Sequence, residues 1–266
     1  MSGCDMLMLD KYTGRSARSS TESYMMEPRI LPAGDRALVV EFGDAIDEAI
    51  NERVQALAGA LARSRIRGVT EVVPTFRSLM VCYEPERISY RRLSARIRRM
   101  DARPRGPEGG SRRVLRVPCL YEGEDLADME RITGLSRDEI VAIHSATDYR
   151  IYMLGFLPGF VYLGGMDGRI AAPRLATPRK AIPAGSVGIG GDQTGVYPLS
   201  SPGGWRLIGI TPLRFYDPER EQPILCRAGE YIRFCPISRA EYEDIAARVA
   251  AGSYAPEYRE TGGAAQ

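Results

Sequence analysis

Hydrophobic residues recur at helical spacing in the first third of the chain, between β-like runs. A β-like run over residues 36–42 precedes an apolar stripe that consists of Ile46, Ile50, Val54, Leu57 and Leu61. Steps of three and four residues place such a stripe on one face of a helix. Two more strand-like runs, 69–73 and 78–83, lead to a second amphipathic helix marked by Leu93, Ile97 and Met100. Residues 29–102 are therefore predicted to form a small α+β domain, ferredoxin-like or related to that fold.

A polar stretch separates this domain from the rest of the chain. Residues 103–113 contain prolines, glycines and charges but almost no apolar side chain, which predicts a linker. A strand over 114–117 and a helix that ends near His144 follow. Ser136 and Glu139 have the spacing of a capping box, which predicts that this helix begins there.

Short β-like runs separated by glycine and proline dominate residues 149–236. This pattern is typical of a closed or nearly closed β-barrel rather than a parallel sheet. A last helix is predicted from the capping box of Ser238 and Glu241, with a buried side formed by Tyr242, Ile245 and Val249. The predicted parts are a disordered leader (1–28), the α+β domain (29–102), the linker (103–113), the barrel domain (114–240), the helix (238–252) and a flexible tail (253–266).

Composition and charge exclude several classes of protein. The chain is 44% hydrophobic and 26% charged, as expected for a soluble globular protein with real cores. Its 36 basic and 34 acidic residues give a net charge of +2, which leaves no large basic surface for nucleic acid. The first 28 residues lack the apolar core of a signal peptide, and no run is long enough to span a bilayer. We expect a cytoplasmic protein that binds neither nucleic acid nor membrane.

Metal and nucleotide motifs are not found in the sequence. The five cysteines include no C-x-x-C pair and the chain has one histidine, so we predict reduced thiols and no metal site. No Walker A sequence occurs, and Gly188-Ile189-Gly190-Gly191 does not complete a dinucleotide fingerprint. A nucleotide would have to be held in another way.

The single histidine, His144, is the candidate for an imidazole general base. Its predicted position at a helix C-terminus would favour the imidazolium form and raise its pKa. The alternative is that His144 only caps this helix and packs on the barrel. We favour the catalytic role, because the motif-rich segment begins immediately after it.

The barrel segment supplies candidates for binding a small anionic substrate. The amides of residues 185–191 form a possible anion-binding nest, with Arg179 and Lys180 supplying charge, although the glycines alternatively only turn a barrel corner. Ser186 is expected to donate a hydrogen bond rather than act as a nucleophile, since its context is a strand and a loop. Further donors and ring walls are expected from Gln193, Thr194, Tyr197, Ser201, Phe160, Tyr162 and Trp205. Tyr152 and Phe156 are assigned to the core.

Three motifs in the barrel segment resemble a known family. They are GFLPGFVYLGG (155–165), PAGSVGIGGDQTGVYP (183–198) and SPGGWRLIG (201–209). In this order they resemble the B subunit of bacterial ATP-dependent 5-oxoprolinase. The same family includes the sporulation-kinase inhibitor Kip and subunit 1 of allophanate hydrolase, and is also known as the carboxyltransferase C and D subdomains. GDRAL (34–38) and PTFRSL (74–79) extend the resemblance through the first domain.

The resemblance implies a cyclophilin-like β-barrel after the α+β domain, a C-type partner with a similar barrel, and a separate A-type partner. It implies ATP as co-substrate in the opening of 5-oxo-L-proline to L-glutamate. The residues carried over are His144, Arg179, Ser186, Gln193, Tyr197 and Trp205. Alternatives in the same family are a component of urea or allophanate metabolism and a non-enzymatic inhibitor of a sensor histidine kinase. Two departures are the short loop at 121–125 and Ile210, where the family pattern has arginine.

Overall fold

The structure is a computed structural model that describes residues 27–101 and 112–261. The predicted leader lies outside these residues except for its last two positions. Most of the predicted linker and the end of the predicted tail also lie outside them.

The first domain packs two helices on one face of an antiparallel sheet. Its elements are β1 (Arg29–Pro32), β2 (Ala37–Glu41), α1 (Glu48–Ser64), β3 (Val69–Pro74), β4 (Ser78–Tyr83) and α2 (Tyr90–Asp101). The strand order is β1-β2-β4-β3. Alternate residues of β2 and β4, among them Leu38 and Leu79, are fully buried against both helices. The predicted α+β layering is therefore confirmed.

The N-terminus of α1 differs from its prediction by one stripe position. Asp47 is the N-cap, and its side chain accepts a hydrogen bond from the Ile50 amide at 3.0 Å. The helix therefore begins at Glu48, so Ile46 precedes it and is 53% exposed. The other stripe residues, from Ile50 to Leu61, are buried as predicted.

The second domain is a curled sheet with helices around it. Its elements are β5 (Arg112–Cys119), α3 (Leu126–Thr133), α4 (Arg137–Ser145), β6 (Tyr149–Leu154), β7 (Val161–Gly164), β8 (Arg179–Ile182), β9 (Ser186–Gly190), β10 (Gln193–Val196), β11 (Ser201–Gly203), β12 (Arg206–Ile210), β13 (Tyr231–Pro236), α5 (Arg239–Ala250) and β14 (Tyr258–Thr261). Eight strands pair in the order β12-β9-β10-β7-β6-β13-β5-β14. β8 and β11 form a separate two-stranded ribbon. Both predicted capping boxes are present, at Ser136 and Ser238.

The curled sheet closes on itself just after β5. The backbone groups of Leu120 and Ile210 exchange two hydrogen bonds of 2.8 and 2.9 Å, which join the end of β5 to β12. Gly123 continues the contact, and a Cβ at that position would lie 2.2 Å from the Leu207 carbonyl oxygen. The short loop at 121–125 is thus part of the closure, and the predicted β-barrel is confirmed.

A buried polar cluster joins the two domains. Arg150 on β6 donates to Asn51 Oδ1 on α1 at 3.1 Å and to the Tyr231 hydroxyl at 2.9 Å. Asn51 in turn donates to the Tyr152 carbonyl at 3.1 Å, and Glu48 accepts from the Tyr231 hydroxyl at 2.7 Å. Buried hydrogen-bonded groups fix geometry, since leaving one unpaired is costly. The cluster therefore fixes the first domain against the barrel.

The C-terminal segment differs from its prediction in two ways. The apolar side of α5 is only half-buried, and no residue of that helix is fully buried. The predicted flexible tail contains β14, which pairs with β5 in antiparallel register. Tyr258 holds β14 there, because its ring lies 3.7 Å from the Arg113 guanidinium and its hydroxyl donates to the Leu225 carbonyl at 3.1 Å. Within the described residues, no helix is both long and apolar enough to cross a bilayer.

Candidate functional site

Glycine and aromatic residues of the three motifs lie together on the outer surface of the barrel. Successive side chains along a strand alternate between this surface and the core. On β9, Val187 and Ile189 point into the barrel core, so Gly188 and Gly190 lie on the opposite, outer face. Trp205 lies across these glycines. A Cβ at Gly190 would be 2.4 Å from Trp205 Nε1, and one at Gly195 would be 3.0 Å from its Cζ3. The glycines are therefore needed for close approach of the indole ring.

An aromatic cluster surrounds that indole ring. We use the term aromatic face for Phe160, Tyr162, Tyr197 and Trp205. Phe160 stacks edge-on with Tyr197 and Trp205 at centroid distances of 5.3 and 5.6 Å, and lies 4.9 Å from Tyr162. Burial raises the pKa of the Tyr197 hydroxyl. Phe160, Tyr197 and Trp205 are buried, and only Tyr162 is partly exposed.

The β8–β11 ribbon is anchored beside the aromatic face by an ion-pair cluster. Arg179 on β8 donates to Asp125 Oδ1 at 2.7 Å and pairs with Glu124 at 2.9 Å. The other oxygen of Asp125 accepts from the Leu207 amide at 2.6 Å, which ties the ribbon to β12. The hydrogen bond to Asp125 raises the pKa of Arg179. The guanidinium of Arg179, which we expected to bind an anionic substrate, is thus already paired with two carboxylates.

His144 is enclosed in the barrel rather than exposed at its rim. Its side chain is fully buried between Tyr149 and Phe234, with ring centroids 5.3 and 4.6 Å away. Burial lowers the pKa of His144 to about 3. The expectation of a raised pKa was wrong, because desolvation of the imidazolium outweighs the helix C-terminal dipole. In this setting the ring is neutral near pH 7.

A directed chain of hydrogen bonds fixes the tautomer of that ring. The Thr194 hydroxyl donates to the Gly188 carbonyl at 3.0 Å, so its oxygen accepts from His144 Nε2 at 2.8 Å. Nδ1 is then the acceptor, and the Tyr121 hydroxyl donates to it at 2.7 Å. Both ring nitrogens are satisfied. The arrangement connects the closing loop, α4, β10 and β9, and it favours a structural role for His144.

The remaining predicted residues divide into buried and accessible ones. Ser186 is buried at the start of β9, opposite Tyr197. Gln193 is partly exposed beside the β9–β10 hairpin turn, and Lys180 is exposed on the ribbon. Arg174, which was not predicted as a site residue, adds an exposed cation 5.8 Å from the Trp205 ring centre. Lys180 and Gln193 are therefore the predicted binding residues that a ligand can reach.

The predicted anion nest over residues 185–191 does not form. Gly188 and Gly190 lie in the middle of the sheet, where β9 pairs with β10 on one side and β12 on the other. The Gly185 and Gly191 amides donate to the Tyr197 and Ala172 carbonyls at 2.7 and 2.8 Å. Gly188 and Gly190 instead seat Trp205, whereas Gly185 and Gly191, with φ angles of 84° and 69°, lie in the turns at the two ends of β9, as the alternative interpretation expected. The described residues of this segment offer no cradle for the phosphates of ATP.

Two residues important to this architecture were not recognised from the sequence. Asp125 was passed over, although the acidic pair with Glu124 directly before a helix was an available signal. Phe156 was assigned to the core, yet it is 64% exposed. Its position in the repeated Gly-Phe of the first motif was the only indication, and that does not distinguish inside from outside. Tyr152 is buried as predicted.

Known proteins resemble this chain in sequence. Residues 28–226 match the family model described as carboxyltransferase domain, subdomain C and D. The chain is similar to the 5-oxoprolinase B subunit of Bacillus subtilis, with 43% identity over 79% of this chain and 92% of that protein. It is also similar to the 5-oxoprolinase B subunit of Escherichia coli O157:H7, with 39% identity over 80% of this chain and 97% of that protein.

Solved structures share the fold. The crystal structure of TTHA0988 superposes with a TM-score of 0.70 at 39% identity, over 76% of this chain. The matched part is 40% of the TTHA0988 chain, so that protein continues well beyond it. The urea carboxylase of Kluyveromyces lactis matches 88% of this chain with a TM-score of 0.71, at 19% identity and over 24% of its own length. At that identity the likeness concerns the fold alone.

Proposed function

Because the chain belongs to the family of the carboxyltransferase domain, subdomains C and D, we propose that it serves as the B-type component of a multi-subunit 5-oxoprolinase. The observation that carries this proposal is the similarity to two bacterial 5-oxoprolinase B subunits over more than nine-tenths of their length. In that complex, 5-oxo-L-proline is opened to L-glutamate while ATP is hydrolysed. The partners are an A-type and a C-type protein.

The chemistry explains why such an enzyme needs ATP. The lactam of 5-oxoproline is a resonance-stabilised amide, and ATP hydrolysis supplies the driving force for its opening. In this chain the glycine amides are paired within the sheet and Arg179 is held by Asp125 and Glu124. We therefore assign ATP binding to the partner proteins. This chain contributes a rigid surface to the complex.

Two accessible groups on that surface are proposed to contact the substrate. Lys180 is exposed and has no ion pair among the described residues, so its ammonium group is available to a carboxylate. Gln193 offers an amide donor and acceptor on the same outer face as Gly190. For Arg179, Ser186, Tyr197 and Trp205 we propose a positioning role in place of the predicted contacts with the substrate. These four residues hold the ribbon and β9 in place.

Reconstitution tests the proposal directly. The chain and its C-type and A-type partners are purified separately, and glutamate release from 5-oxoproline is measured with and without ATP, with each protein omitted in turn. We expect ATP-dependent glutamate only when all three are present. A complete mixture that makes no glutamate overturns the proposal. Ammonia release from urea or allophanate by this chain with a biotin-dependent partner would instead establish the urea route, which the 24% identity to yeast urea amidolyase suggests more distantly.

The substrate contact is tested by Lys180→Ala in the reconstituted complex. A charge-assisted hydrogen bond contributes about 1.5–3 kcal/mol, so KM for 5-oxoproline should rise by roughly tenfold or more while kcat changes little. Lys180→Arg is the matched control and should retain most of the affinity, because it keeps the charge. An unchanged KM in Lys180→Ala would show that Lys180 does not contact the substrate. The proposal that the chain is a component of the complex would stand.

A further inference from the structure

The loop between β6 and β7 has an unusual backbone at Phe156. The Leu157 amide donates to the Gly155 carbonyl at 2.8 Å, and the φ angle of the intervening Phe156 is 67°. A hydrogen bond across one residue with positive φ defines the strained form of the γ-turn, which is rare. Left-handed backbone is unfavourable for a bulky aromatic residue, and glycine would adopt it without cost. A phenylalanine is nevertheless found here.

The surrounding loop enforces this conformation. The Phe160 amide donates to the Leu157 carbonyl at 3.0 Å around Pro158 and Gly159, and the Gly159 φ angle of 80° completes a type II turn. The Gly155 amide then donates to the Phe160 carbonyl at 3.2 Å and closes the loop. Gly159 is locked beneath it, since a Cβ would lie 2.9 Å from the Phe215 carbonyl oxygen. Two consecutive tight turns therefore hold Phe156 in place.

The strained backbone conformation does not bury the Phe156 ring. Phe156 is 64% exposed, more than any other large hydrophobic residue that the structure describes. Its ring contacts Phe160 edge-on, at 5.6 Å and 87°, and through Phe160 it is continuous with the aromatic face. Strained residues that the surrounding structure keeps in place are concentrated at functional positions. A ring this exposed does not line an enclosed pocket of its own chain, so its apolar surface is available to another molecule.

We propose that Phe156 is the anchor by which this chain docks into an apolar pocket of its C-type partner. The proposal rests on the proposed function, and two observations favour a protein partner over a small ligand. The ring is presented outward on a preorganised loop, as aromatic anchors of protein interfaces are. In addition, TTHA0988 carries further chain beyond the 40% that matches this protein, so a relative of this fold is joined to another polypeptide segment.

Calorimetric titration measures how tightly the purified C-type partner binds three proteins: the wild-type chain, Phe156→Ala and Phe156→Gly. The melting temperature of each variant is also measured in the absence of the partner. Loss of an aromatic anchor costs 2 kcal/mol or more, so both variants should bind about 30-fold more weakly or worse. Phe156→Gly should melt above Phe156→Ala, because both lack the ring but only alanine retains the backbone strain. This pair separates the anchor from the strain.

Ile132→Ala is the matched control, since Ile132 is the exposed apolar residue of α3, 40% exposed, and its loss should change binding less than twofold. If wild-type chain and Phe156→Ala bind equally, the docking proposal is overturned while the proposed function stands. If wild-type chain does not bind the C-type partner and the reconstituted mixture makes no glutamate, both are overturned. If Phe156→Ala raises KM for 5-oxoproline but leaves the affinity for the partner unchanged, Phe156 contacts the substrate. If Phe156→Ala abolishes a homodimer of this chain, Phe156 serves self-association. Either result overturns the docking proposal.

Discussion

The burial of His144 predicts a distinctive dependence of stability on pH. In the unfolded chain the imidazole titrates near its ordinary pKa of 6.5, whereas burial lowers the pKa in the folded protein to about 3. Between these values the unfolded state binds a proton that the folded state does not. The contribution of His144 to the free energy of unfolding is therefore complete above pH 6.5, and it is lost as the pH falls toward 3.

The size of the effect follows from the two pKa values. Stability should fall by about 1.4 kcal/mol for each pH unit below 6.5, and by about 5 kcal/mol in total near pH 3. Between pH 6.5 and pH 4.5 the loss is about 2–3 kcal/mol. Marginally stable domains have only about 5–15 kcal/mol in all, so this single residue should contribute strongly to acid unfolding.

The assay compares wild-type chain with His144→Gln by urea unfolding at half-unit steps from pH 7.5 to 4.5. Glutamine carries hydrogen-bonding groups for the Tyr121 and Thr194 hydroxyls but does not titrate. Carboxylates affect both proteins equally, so the difference between the two curves isolates the histidine. Wild-type chain should be the more stable at pH 7, and its advantage should shrink by about 1.4 kcal/mol per pH unit below 6.5.

A difference that stays constant from pH 7 to 4.5 would refute this reasoning, because it would mean that His144 does not titrate between the folded and unfolded states. The same variant tests the catalytic alternative in the reconstituted complex. A structural role predicts that turnover follows the folded fraction. A loss of orders of magnitude in a fully folded His144→Gln complex would restore His144 as the general base.

Two further predictions concern packing and the domain junction. Gly190→Ala should destabilise the chain by about 2 kcal/mol or more and shift the fluorescence of Trp205, because the added Cβ would lie 2.4 Å from Trp205 Nε1. Gly168→Ala is the control, since a Cβ at that position meets open space. Equal stability of the two variants would contradict this prediction. Arg150→Met should cost about 2–3 kcal/mol, because the buried Asn51 Oδ1 loses its donor. Scanning calorimetry should then resolve separate transitions for the two domains, and an unshifted single transition would be the contrary result.

Local sequence patterns predicted the elements of this protein because local chemistry decides them. The capping boxes at Ser136 and Ser238 start helices where predicted, since the cap and its partner are only three residues apart. The periodicity of α1 likewise predicted its buried stripe, and the turn-rich segment predicted the β-barrel. The family motifs also belong to this level, because they are contiguous in sequence.

The tertiary structure decided what these residues do, because their partners are remote along the chain. His144 meets Thr194 across 50 positions, and Arg179 meets Asp125 across 54, so neither the lowered pKa nor the neutralised guanidinium is visible in a local pattern. β14 pairs with β5, and its Tyr258 ring packs on Arg113 of that strand, a contact between residues far apart along the chain. Phe156 could not be placed outside by composition, since its exposure follows from two consecutive turns closed by backbone hydrogen bonds. Burial and pairing are properties of the assembled fold, and they make the candidate base a buried, neutral ring and the candidate core ring an exposed one.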